Sequence, residues 1–258
     1  MLGLDDPAIL VLLFIASTCA GFVDAMVGGG GLILIPALLL GLPSLPPAMA
    51  LGTNKFAAVS GTLTAAITYH RKIPVSIRQI FTFALPALLL SMAGALIAIR
   101  LDSQVLRPII LIAVVIIGII LIFKPDLGQS ETDEDTSRFS QALLFFTICI
   151  IGLYDGFFGP GTGMFLILAI SILGKRSFLN ATSLTKIINS ATNVGALVIF
   201  IASGSILIYL GVLLAIGNII GAQLGSRLVL KRGTGLIRAA MFLLIAVLVV
   251  KLGAQMIA

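Results

Sequence analysis

Two lysines, Lys55 and Lys186, stand 131 residues apart inside long apolar runs, and each follows an aspartate, Asp24 or Asp155, by the same interval. An ammonium at mid-membrane depth costs about 2.5–3.5 kcal/mol even on the milder insertion scale, so a chain that keeps two must give them a carboxylate, water or an anionic ligand. Glycine-rich stretches lie near each aspartate: "GGGG" at Gly28–Gly31, containing Gly28 and Gly30, and "GPGTG" at Gly159–Gly163, containing Gly159, Gly161 and the hydroxyl of Thr162. Glycines ahead of a helix leave N–H groups exposed at its positive end, which favours anions; tight packing of small residues is the alternative. Lys186, Asn189 and Asn193 share one helical face in "KIINSATN", while Thr53 and Asn54 precede Lys55 and Thr62 follows it seven residues on. Asn54, Asn189 and Asn193 have amide donors for a bound oxyanion, or for ties between helices. Asp24 and Asp155 suit charge balance with the lysine of their own half, capping of the next turn, or proton coupling.

Other chemistries find little support. A single histidine, His70, rules out HExxH and His-rich metal sites, and no GxSxG or P-loop occurs. Neither an enzyme nor a cofactor or metal is expected. His70 stands beside Arg71 and Lys72 at a segment end, as a solvated interfacial residue would. Cys19 and Cys149 lack a CxxC partner and are expected to be small core residues.

The elements that would position these residues belong in a membrane. Of 258 residues, 59% are hydrophobic and 10% charged, against about 25% charged in soluble domains. The net charge of +6 falls mostly at segment ends, which indicates orientation in a bilayer rather than nucleic-acid binding. The first Lys or Arg is Lys55, so no cleaved secretory signal is expected.

The second half matches the first at an offset of 131 residues without a gap: Gly21, Asp24, Gly28 and Gly30 fall on Gly152, Asp155, Gly159 and Gly161, and Gly94 and Arg107 on Gly225 and Arg238. Each half divides into five apolar segments. In the first half they run near Ala8–Val27, Leu32–Leu42, Ala48–Tyr69, Ile80–Ile99 and Val105–Phe123. Residues 1–123 form one membrane repeat, 124–138 a polar acidic linker, and 139–258 the second repeat.

The second segment, Gly28 to Leu42, would span about 22 Å as a helix, too short for a hydrocarbon core of about 30 Å. A re-entrant hairpin and a single broken span both fit that length. With a hairpin, eleven basic residues collect on one face against three on the other; with one broken span they divide eight to six. Positive-inside asymmetry favours the hairpin, which inverts the two halves and puts both termini outside. Inverted repeats with short, Gly/Pro-interrupted segments point to a secondary transporter with a midplane site.

"GFVDAMVGGGGL", "ALGTNK", "GLYDGFFGPGTG" and "ATSLTK" together resemble the sulfite exporter TauE/SafE family of bacterial membrane transport proteins, over essentially the whole chain. The resemblance implies a multi-pass inner-membrane permease for sulfite, organosulfonates or related anions. The expectation is thus an all-α integral membrane protein of two inverted repeats that carries a small oxyanion by alternating access. Its partners would be that anion and the lipid bilayer, with no nucleic acid and with homo-oligomerisation left open. A passive anion channel and a non-transporting membrane scaffold are the alternatives.

Overall fold

A computed structural model describes residues 6–123 and 136–232, and among them every regular element is helical. The first half has α1 (Pro7–Val27), α2 (Gly31–Gly41), α3 (Pro47–His70), α4 (Ile77–Gln79), a π-helical turn (Ile80–Ala84), α5 (Leu85–Ala98) and α6 (Ser103–Phe123). The second half has α7 (Arg138–Phe157), α8 (Thr162–Ile172), α9 (Phe178–Ala202) and α10 (Ile208–Arg232). Segment five of that half and most of the acidic linker lie outside the described residues. Helix starts recur with the sequence offset: Pro7 and Arg138, Gly31 and Thr162, Pro47 and Phe178, and Ile77 and Ile208 are each 131 residues apart.

Five described helices are long and apolar enough to cross a membrane: Pro7–Val27, Ile77–Ala98, Arg138–Phe157, Phe178–Ala202 and Ile208–Lys231. This is an all-α membrane protein. At 24 residues α3 is as long, but Thr53, Asn54, Lys55 and Thr62 dilute its apolar content.

Local chemistry sets the boundaries. Asp6 accepts the Ala8 N–H at 2.8 Å and Pro7 opens α1, so the first turn is capped where proline's missing donor costs nothing. The helix stops at Gly28, whose φ of +86° favours glycine and whose N–H reaches the Asp24 carbonyl. The π-turn has a sequence cause as well. Pro86 has no N–H for the ordinary i−4 bond, and its ring crowds that carbonyl; widening the turn relieves both. Gly217 stands at the equivalent place in α10, which stays α-helical.

The short helices double back. Gly41, ending α2, lies against Leu13 near the start of α1, and Ser140 near the start of α7 donates to the Leu173 carbonyl just past α8 at 2.7 Å. Both α1–α2 and α7–α8 are therefore hairpins whose breaks point inward.

Contacts between the halves are reciprocal. Gly152 on α7 meets the Ala87 backbone, and Gly21 on α1 meets that of Asn218; Gly94 meets Leu153, and Gly225 meets Phe22. At the centre α3 and α9 run antiparallel, since Gly52 packs on Phe200 while Ser183 donates to the Ile73 carbonyl at 2.7 Å. Cys19, expected in the core, lies on the exposed face of α1, and Cys149 is only half-buried. Lipid explains the difference, because an apolar solvent removes the penalty that drives small hydrophobes inward.

Candidate functional site

The two hairpin breaks meet at the centre of the molecule. A Cβ on Gly28 would overlap the backbone of Gly163 at the start of α8, so the breaks touch main chain to main chain. Around this contact the four intramembrane charges pair across the halves. Lys55 Nζ lies 2.8 Å from Asp155 Oδ2, with both side chains 2% exposed. Lys186 Nζ lies 3.7 Å from Asp24 Oδ2 and also donates to the Asp24 carbonyl; its side chain is fully buried, while that of Asp24 is 15% exposed. Each aspartate thus faces the lysine of the other half, not the one that shares its repeat.

The polar residues are distributed unequally. Lys55 Nζ donates to Asn193 Oδ1 at 2.9 Å, and Asn193 Nδ2 donates to Asn189 Oδ1 at 3.4 Å, so Asn193 and Asn189 of α9 extend the first pair. Asn54 is buried beside Lys55 on α3 but, among the described residues, makes no hydrogen bond to either ion pair. Lys186 has the Asp24 carbonyl, in the last turn of α1, where Lys55 has an amide.

The glycines do different jobs. Gly30 N–H donates to Asp24 Oδ1 at 3.3 Å, so the start of α2 already faces an anion, the chain's own carboxylate. At Gly159, with φ of +91°, a Cβ would stand 2.9 Å from Lys55 Nζ; only glycine lets the ammonium come so close to the α7–α8 turn. Gly161, with φ of +77°, opens α8. The Thr162 hydroxyl donates to the Gly159 carbonyl at 2.9 Å and so braces the turn from within.

Two tyrosines were missed by the sequence reading. Tyr154 OH donates to the Pro160 carbonyl at 2.7 Å, and Tyr69 OH to the Ala25 carbonyl at 3.1 Å. Each ties down a main-chain acceptor at or near a helix break, the kind of group that lipid leaves unsatisfied. Tyr154 stands directly before Asp155, which was the available signal. Among the described residues no cluster of three or more His, Cys, Asp or Glu could hold a metal ion.

The sulfite exporter TauE/SafE family model matches residues 13–252. The chain belongs to that family. It is 38% identical over 249 residues to a probable membrane transporter protein, YfcA, of Escherichia coli K12, covering 96% of this chain and 90% of that one. It is also 38% identical to a probable membrane transporter protein of Haemophilus influenzae, covering 92% and 90%, and 34% identical to probable membrane transporter protein ORF9 of a Sinorhizobium species, covering 95% and 92%. No solved structure matches. Family and relatives together make this a member of a membrane transporter family, one that is not an enzyme family.

Proposed function

We propose that the chain carries a small oxyanion, sulfite or an organosulfonate, across the bacterial inner membrane by alternating access, with its two halves inserted in opposite orientations. The observation that carries this reading is the pair of buried lysines, each held by the other half's aspartate where the helix breaks meet. The four charges cancel, so a bare ammonium is never left in lipid. A substrate anion enters by replacing a carboxylate on Lys55 or Lys186. Asn189 and Asn193 then orient it, and Gly28, Gly30, Gly159 and Gly161 bring backbone close to it. The carboxylate released from its lysine, Asp24 or Asp155, is the group through which proton movement would be coupled to that of the anion. The antiparallel packing of α3 on α9 supports inverted halves, because equivalent helices that cross in opposite directions belong to repeats of opposite orientation.

The test is uptake of labelled sulfite or a short organosulfonate into proteoliposomes. A carrier gives saturable uptake, acceleration by unlabelled anion trapped inside, and loss of both in Lys55→Met and Lys186→Met. Flux without saturation or countertransport would indicate a channel. Absence of flux for every anion tried would favour a scaffold.

A further inference from the structure

An apolar groove of about 510 Å³ opens beside the central helices, in the size range of built ligand sites, roughly 300–1,000 Å³. Leu63 and Ile67 of α3, Ala84 of the π-turn, Leu88 of α5, and Ile187 and Ala191 of α9 form its walls, and His70 and Arg71 stand at one end. The α9 residues facing it form a stripe beside that of Lys186, Asn189 and Asn193, so the groove runs along the back of a helix that carries an ion pair. Ser190, the polar wall residue on α9, spends its hydroxyl on the Lys186 carbonyl at 2.7 Å. The walls therefore suit a hydrocarbon chain rather than a small oxyanion.

At the equivalent place α3 and α10 are drawn together, and the sequence explains why. Ser60, equivalent to Ala191, donates to the carbonyl of Ala215, equivalent to Ala84, at 3.2 Å. Gly211, equivalent to Ile80, lets the Phe56 ring press on the α10 backbone. Where the groove opens, Ala191 of α9 has no hydroxyl to make that bond, and the Pro86 π-turn widens the facing helix.

We infer that this groove is a binding site for one anionic phospholipid, with an acyl chain between α3, the π-turn and α9 and the phosphate at Arg71. Charge complementarity selects the headgroup. Arg71 stands exposed at the mouth with exposed Lys72 next to it in the chain, in a stretch without Asp or Glu between Asp24 and Asp102. His70 Nδ1 accepts the Val75 N–H at 3.2 Å, which leaves the proton on Nε2 as a second donor. From Leu63 to Arg71 the α3 wall is about 12 Å long, at 1.5 Å per residue, enough for the upper part of one chain below its headgroup.

Native mass spectrometry of delipidated protein offered phosphatidylglycerol and phosphatidylcholine in equal amounts tests the site. The expected result is one retained phosphatidylglycerol per chain at about fivefold preference, the effect of one basic side chain near anionic lipid. Arg71→Gln alters an exposed side chain and should erase that preference without disturbing packing. Ala191→Trp, which fills the groove, should lower retention of both lipids, whereas Leu89→Trp on the exposed face of α5 should not. Equal retention of the two lipids, or a preference that survives Arg71→Gln, would overturn the headgroup site. Undiminished retention in correctly folded Ala191→Trp would overturn the acyl-chain groove.

Discussion

Lys55 and Lys186 occupy equivalent positions in the two halves, yet their surroundings differ. The Lys55 pair is short, dry and extended by Asn193; the Lys186 pair is longer, with a carboxylate that keeps some exposure and a backbone carbonyl as the second acceptor. Duplication supplied the same charges twice, and divergence of their neighbours made one pair a lock and the other a looser latch. In the proposed cycle Asp24 is the carboxylate that yields first.

The largest difference should appear when each lysine is made apolar. Lys55→Met strands a fully buried carboxylate and should cost about 3–5 kcal/mol, seen as a lower unfolding midpoint in detergent. Lys186→Met should cost less, about 1–3 kcal/mol, because Asp24 retains some solvent and the Gly30 N–H. Equal losses, or a greater loss at Lys186, would break the comparison. Gly28→Ala combines a left-handed φ with overlap on Gly163 and should cost about 1–3 kcal/mol. Gly159→Ala bears the same conformational strain but meets side-chain atoms, the nearest at 2.9 Å, where Gly28→Ala overlaps backbone, so the smaller loss is expected there. Asn193→Ala should cost about 1.5 kcal/mol by removing one hydrogen bond to a charged group. The smallest effect belongs to the outer clefts: Ser60→Ala should lose about 1 kcal/mol or less.

Much of the fold could be read directly from the chain. Apolar segments drawn at Ala8–Val27 and Ala48–Tyr69 differ by one residue at most from α1 and α3 at either end, because hydropathy and caps are local signals. The charged residues that converge at the helix breaks could be picked out too, since lysine or aspartate inside an apolar run stands out. Their partners could not. Self-comparison aligns Asp24 with Asp155 and sets each beside the lysine of its own half, whereas the exchange of partners arises from antiparallel packing of α3 on α9, a long-range fact. The groove's asymmetry was written in Pro86 against Gly217 and Ala191 against Ser60, but such differences gain meaning only once the facing helix is known. The exposed Cys19 shows the remaining gap, as burial rules learned in water do not rank faces that meet lipid.

The claim on which the rest depends is that the halves face opposite ways, and sidedness of labelling tests it most directly. In a background with Cys19→Ser and Cys149→Ser, single cysteines at exposed Arg71 and Lys231 would be probed with a membrane-impermeant thiol reagent in cells and in inverted vesicles. Opposed halves require both positions to react from the same face. Reaction from opposite faces would contradict the account, because parallel halves separate those two turns across the membrane.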